Sequence, residues 1–408
     1  MSFLYKFSAF IMSIAALVLM CTSLAFAKND VSALVSDNRG GILSVSHRGD
    51  TEHYPENSLD AVLSASEKGA SMISVSVRMS KDGVPVLCEE GELFAYCDTD
   101  LKSTNDASFT ELSEIPYYET DGAVSECKIV SLEKAVKKLR GKSILILDNA
   151  WEYRNEIVKF CDENGAFDKV IIRCDESAKD IVSFIEETEN RISVIGIYDG
   201  AVVMNAISHL NKLSSASQSI VQYESKNYFN EMYKNFTAKR FSAKGKARAL
   251  APMYDKDLCG QREDNVSGWD EMIKRGFSVI ETNNIEGLVK YIDECEEEKA
   301  VLEALEEKAG KVDISLYSSG SARNFTDAVT LCENVLSDGN ASLGEIQVAK
   351  SQLVQSMKML TFGEVEDTQR GNLNVTPVKV ICTVVFGGLI LAGEIYVVKK
   401  QKKEKISK

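Results

Sequence analysis

The chain has no excess of positive charge: 47 Lys and Arg stand against 61 Asp and Glu, for a formal net charge of −14. Binding along a phosphate backbone needs Lys and Arg clustered on one face, so nucleic acid is not an expected partner. The chain also lacks the cysteine spacing of a zinc site, since its ten cysteines include no CxxC pair and no zinc-type interval. Nor does it have the composition of a disordered protein. With 44% hydrophobic and 26% charged residues over 408 positions, it reads as a globular chain of two or three domains with a large core.

What is present is clearest at the two ends. Lys6, an apolar run over 7–26 and the small-x-small triplet Ala25-Phe26-Ala27 predict a secretory signal over 1–27, cleaved before Lys28. Met20 before Cys21 does not suit a lipoprotein cleavage box, which favours simple cleavage. Residues 377–398 are apolar over about the length that crosses ~30 Å of hydrocarbon, and KKQKKEK follows at once. Lys379 can snorkel outward and Glu394 lies near the inner interface, so neither charge prevents a span. The expectation is a single-pass protein of the cell membrane with a basic cytoplasmic tail (399–408) and a large exterior part; a buried core helix is the alternative for this run. Setting aside Cys21 and Cys382, eight cysteines remain outside, an even number that permits disulfides, with Cys88, Cys97 and Cys127 the closest cluster.

Between these ends, short β-branched runs alternate with amphipathic stretches, as in repeated βα units. Eight strands are predicted: ILSVSH (42–47), MISVSV (72–77), SILILD (143–148), KVIIRC (169–174), ISVIGIY (192–198), SIVQYE (219–224), ALAPMY (249–254) and FSVIET (277–282). Helices are expected over 59–68, 132–139, 178–187, 201–213 and 269–275. The number and size match an α/β fold, a (β/α)8 TIM barrel over 38–295. One connection departs from it. Lys81-Asp82-Gly83 is too short for a parallel crossover, so strand two must turn back as a hairpin extension that returns Glu89 and Glu90 to the barrel's C-terminal face.

The stretch HRGDTEHYPENS (47–58), with KDGVPVLCEE (81–90), resembles the opening of the glycerophosphodiester phosphodiesterase family, which reads His-Arg-Gly, Pro-Glu-Asn-Thr/Ser, Glu-x-Asp and His-Asp. The resemblance implies a metal-assisted phosphoric diester hydrolase of lipid metabolism, using Ca2+ or Mg2+. Carried over, it makes His47 an acid/base, Arg48 the phosphate contact and Glu56 a metal ligand. Ser74 and Ser76 stand where the family has its Glu-x-Asp ligands, and Glu89 stands where it has the second histidine. Being two apart on a strand, Ser74 and Ser76 share a face, so two ligand charges are replaced by hydroxyls. Asp148 falls near the family's third-strand acidic position, with Asn149 or Ala150 in place of a nearby lysine, and Thr282-Asn283 replaces Thr-Asp on strand eight.

From 296 to 361 the periodicity becomes helical, with helices expected over 297–312, 321–336 and 343–360. This stretch resembles the three-helix FIVAR modules of Gram-positive surface proteins, and a generic helical stalk is the alternative. Residues 362–376 read as a polar linker before the span. Three functional readings stay open. One is an anchored hydrolase of the resembling family with an impaired metal site. A second is a pseudoenzyme that binds a glycerophosphodiester or a phosphorylated surface polymer, and the third is a purely structural surface protein. Metal binding and turnover separate them.

Overall fold

Eight of the β-branched runs are parallel strands that close on themselves. The computed structural model describes residues 41–89, 91–199, 220–224 and 248–362. Its barrel strands are β1 (Leu43–His47), β2 (Met72–Met79), β3 (Ile144–Asp148), β4 (Val170–Cys174), β5 (Ser193–Asp199), β6 (Ile220–Glu224), β7 (Arg248–Pro252) and β8 (Phe277–Thr282). They pair in chain order, and β1 closes the ring by pairing with both β2 and β8. The register sets His47 beside Ser74, and Ser76 beside Asp148.

Alternation along each strand divides the barrel interior into layers. Val45, Met72, Ile146, Ile171, Ile220 and Val279 belong to one fully buried apolar cluster. Two residues further along the same strands come His47, Ser74, Asp148, Arg173, Gln222 and Glu281. A polar layer therefore lies above the apolar one, at the C-terminal ends of the strands.

The chain between β2 and β3 does more than turn back. Ser80 N–H donates to the Val84 carbonyl at 2.9 Å, Gly83 takes φ +79°, and Pro85–Leu87 pairs antiparallel with β2. A further insertion follows, with a short helix (Phe109–Leu112) and a two-stranded ribbon (Pro116–Tyr118 with Val124–Lys128). It has its own small core, including Cys88, Leu93, Cys97, Leu112, Tyr117 and Ile129. Only the hairpin is anticipated by the sequence, because the apolar residues of this insertion follow no single period. The eight described cysteines are free thiols.

The predicted helices over 59–68, 132–139, 178–187 and 269–275 are observed as Leu59–Glu67, Leu132–Leu139, Ala178–Glu187 and Val266–Lys274. The helix predicted over 201–213 lies outside the described residues, as do 1–27, 363–376 and 377–408. Among the described residues, no helix is long and apolar enough to cross a membrane. Three helices follow β8: Ile285–Ala309, Ser319–Ser337 and Leu343–Lys358. The first begins well before the expected 297, because the Asn284 side chain caps it by accepting from Gly287 N–H. It runs unbroken through position 296. The last helix sits against the barrel, where Gly344 N–H donates to Asp270 Oδ1 at 2.8 Å and Tyr291 hydroxyl donates to the same oxygen at 3.0 Å.

The loop from β1 into the helix Leu59–Glu67 is held from several directions. Arg48 N–H donates to Ser74 O at 3.0 Å, Asp50 N–H to Ala61 O at 2.9 Å, and Ser46 Oγ to Gly49 O at 2.8 Å. Gly49 takes φ +91°, and a Cβ there would meet the Ala61 carbonyl carbon at 2.7 Å. Gly49→Ala is expected to cost at least about 2 kcal/mol of unfolding free energy by chemical denaturation, from backbone strain and the clash with helix backbone.

Candidate functional site

The polar layer brings together residues from six barrel strands or the loops that leave them. At its centre is Arg173, whose side chain is 3% exposed. Its Nε and Nη2 donate to Asp148 Oδ1 and Oδ2 at 2.5 and 2.7 Å. Nη2 also donates to Glu281 Oε1 at 3.1 Å, and Nη1 donates to Glu281 Oε2 and to Gln222 Oε1, the latter at 2.8 Å. All five guanidinium N–H donors thus have acceptors, in the fork-to-fork geometry that makes Arg–carboxylate pairs strong.

Arg48 continues this network outward. Its Nη1 donates to Asp148 Oδ2 at 2.6 Å, and its Nε lies 2.8 Å from Glu89 Oε2. Glu89 Oε2 also accepts from Asn57 Nδ2 and Ser76 Oγ, each at 3.1 Å. Asn57 is fixed in turn by Ser76 N–H, which donates to its Oδ1 at 2.8 Å. The hairpin therefore delivers Glu89 onto the face that Ser76 occupies. Ser74, fully buried, accepts weakly from Arg48 N–H at 3.4 Å. Three non-glycine residues in this small region, Arg48, Asn57 and Asn149, take φ values of +60°, +61° and +57°. Such strain persists only where surrounding contacts over-determine the backbone.

Charge and burial set the protonation states. Burial opposes ionisation of Asp148, but Arg173 and then Arg48 overcome it and hold the carboxyl below the usual range. Burial lowers the Arg48 guanidinium, yet Asp148 and Glu89 reverse the shift and raise it. Half-buried Glu56 moves the other way, pushed up by burial and then by the charge of Glu89. Glu224, whose Oε1 accepts from the Gln222 amide nitrogen Nε2 at 2.8 Å, is likewise raised by burial.

His47 stands at the rim. Its ring stacks on Tyr254 at 3.7 Å with an interplanar angle of 1°, and its Nδ1 lies 3.1 Å from Asn283 Oδ1. The Asn283 amide nitrogen faces the Tyr254 carbonyl at 3.5 Å, which can only accept, so the amide oxygen is left for His47. That assigns the proton to Nδ1 and the lone pair to Nε2. Asp264 steadies this corner by accepting from Asn283 N–H at 2.9 Å and from Thr282 Oγ1 at 2.7 Å. Burial pushes the imidazole below its usual range, against a raising contribution from Glu281.

A separate acidic group lies beside the loop after β1. Asp50, Glu52 and His53 bring three potential metal-ligand atoms within 4.8 Å of one another. The Lys68 ammonium is already there, 2.8 Å from Asp50 Oδ2 and 3.3 Å from His53 Nδ1.

Of the residues singled out in the sequence, His47, Arg48, Glu56, Ser74, Ser76, Glu89 and Asp148 gather around this layer; Glu90 lies outside the described residues. Arg173, Gln222 and Glu281 were missed. The available signal was polar residues two positions after apolar interior residues in VIIRC, IVQYE and FSVIET.

Residues 47–189 match the Glycerophosphoryl diester phosphodiesterase family. No curated protein matches the chain. Among solved structures, the chain is similar to a glycerophosphoryl diester phosphodiesterase from Parabacteroides distasonis, with TM-score 0.52 and 18% identity over 64% of this chain and 90% of that one. It is also similar to a glycerophosphodiester phosphodiesterase from Thermotoga maritima, with TM-score 0.47 and 20% identity over 61% and 97%. A glycerophosphoryl diester phosphodiesterase domain from Mycobacterium tuberculosis gives TM-score 0.48 and 17% identity over 62% and 99%. At these identities the Parabacteroides likeness shows a shared fold, the eight-stranded parallel barrel.

Two outcomes follow from the geometry. Asp148→Asn, which leaves two buried guanidinium groups short of a counter-charge, is expected to lower unfolding free energy by about 3 kcal/mol at neutral pH. The loss should shrink in acid, because a depressed carboxyl contributes fully above ~3.9 and loses that contribution as pH falls through its folded value. For His47 the unfolded chain takes the proton first, so its contribution is complete above ~6.5 and declines as pH falls below that. An NMR titration, with His47→Gln to assign the signal, should place its midpoint below that of a free imidazole.

Proposed function

We propose that this chain is a membrane-anchored, extracytoplasmic member of the glycerophosphodiester phosphodiesterase family whose barrel has little or no hydrolytic activity. Its place is the cell surface, with a single span over 377–398 and the barrel and three helices outside; the terminal apolar run and its basic flank support this.

The observation that carries the reading is the engagement of the carboxylates. Both Asp148 oxygens accept from arginine, and Glu89 accepts from Arg48, Asn57 and Ser76. Ser74 and Ser76 offer hydroxyls where charged ligands are needed. Glu56 keeps its oxygens outside an ion pair among the described residues, and one raised carboxyl is a poor hold for Ca2+ or Mg2+. The donor set does not fit a hard cation.

Without that cation, the chemistry is half supplied. His47 Nε2 can accept a proton from an attacking oxygen, since Asn283 holds the other nitrogen. Glu89, at the position of a second acid/base, serves as counter-charge to Arg48 and so does not offer a leaving alkoxide a matched proton donor. Loss of one acid/base alone removes about 10²–10⁴ in rate. A phosphate approaching Arg48 must also compete with Glu89 and Asp148, which weakens the reading as a binder of a glycerophosphodiester or phosphorylated surface polymer without abolishing it.

The test is the exterior part, residues 28–361, incubated with glycerophosphocholine and with an aryl phosphodiester, with and without Ca2+ or Mg2+. The expected rate is that of the protein-free blank in every case. Metal-stimulated turnover that disappears in His47→Ala would overturn the proposal and establish an active hydrolase.

A further inference from the structure

An arginine cannot shed its proton, so one buried at the centre of a barrel must be matched charge for charge by its surroundings. Arg173 meets that demand completely, with five N–H donors on Asp148, Glu281 and Gln222. Glu281 is fully buried and arrives from β8, across the ring from Asp148 on β3. Arg48 adds a second guanidinium on Asp148 and joins it to Glu89. Two guanidinium groups together carry the charge of one divalent ion, and here they face three carboxylates.

We propose that Arg173, seconded by Arg48, is the resident cation of this barrel: it draws Asp148 and Glu281 together as a divalent ion would, and so makes the site independent of metal. The inference rests on the functional reading above in treating Asp148 as the carboxylate that Ca2+ or Mg2+ would need. It goes further by assigning a role to a residue outside that reading. Arg173 touches no reacting atom and is a positioning residue, setting the orientation of Asp148, which in turn holds Arg48 in its left-handed backbone conformation. A tethered cation differs from a bound one in a measurable way, since no chelator can remove it and no added ion can improve on it.

Thermal unfolding of the full chain tests this directly. EDTA, Ca2+ and Mg2+ should not move the midpoint through Asp148, so any shift they cause should persist unchanged in Asp148→Asn, as one arising at Asp50, Glu52 and His53 would. Arg173→Met should lower the midpoint by on the order of 10 °C, because it strands two buried carboxylates. Adding Asp148→Asn and Glu281→Gln to it should recover most of that loss. Where Arg173→Met gives no folded protein, Arg173→Lys replaces it, and a folded chain with a lowered midpoint is expected from the lost fork. A midpoint within about 1 °C of the original in either Arg173 variant would overturn the proposal, as would a Ca2+-induced rise abolished by Asp148→Asn. Turnover persisting in EDTA would instead overturn the functional reading and leave this one standing.

Discussion

The ion-pair chain Glu89–Arg48–Asp148–Arg173–Glu281 is the constraint on which the upper half of the barrel depends. It joins β8, β4 and β3 to the loop after β1 and the end of the hairpin after β2. Taking charges out of water is costly, and a buried pair repays it only when the remaining donors and acceptors are met. Here Arg173 is met five times over, and Glu89 has Asn57 and Ser76 besides Arg48. The network is therefore a matter of geometry more than of net stabilisation. It fixes which way each side chain points, and the apolar layer beneath supplies most of the favourable free energy of burial.

Local strain and side-chain size follow from that network. Arg48 adopts a left-handed backbone that a long side chain rarely takes, and Asn57 and Asn149 do the same beside it. Each has contacts that compensate: Arg48 its two carboxylates, Asn57 the Ser76 amide and Glu89, and Asn149 the Ser76 hydroxyl at 3.3 Å. Ser76 is common to the last two and also donates to Glu89, one of the carboxylates on Arg48. A larger side chain at this fully buried position would push Glu89 away and release Arg48. The serine on β2 and the glutamate at the hairpin end thus make one coordinated arrangement, with Ser76 Oγ donating to the Glu89 carboxylate.

The strands were legible because β-branched runs have a period and length that helices do not share, and the turn at Lys81-Asp82-Gly83 was legible because so short a link cannot cross over. The residues of the loop after β1 were legible as a local pattern, His47 through Ser58. Arg173 and Glu281 were not, since a charged residue near a strand end reads equally well as a solvated rim, and only ring closure brings residues more than a hundred positions apart into contact. Asn283 was legible as a change and not as a partner for His47, because the pairing needs the stack on Tyr254 and the brace from Asp264. The start of the helix Ile285–Ala309 was hidden for a simpler reason. Ile285, Leu288, Tyr291 and Cys295 face the barrel with the same spacing that Leu302 and Leu305 continue beyond it, so no break in pattern marks 296.

Charge accounting at the mouth limits what the site can welcome. Among the described residues of this layer, Arg48 and Arg173 are opposed by Asp148, Glu281 and Glu89, with Glu56 and Glu224 nearby. Burial raises the carboxyls of the last two, and even without them the two arginines are outnumbered by Asp148, Glu281 and Glu89. A phosphodiester brought to Arg48 would add negative charge to a region where carboxylates already outnumber guanidinium groups.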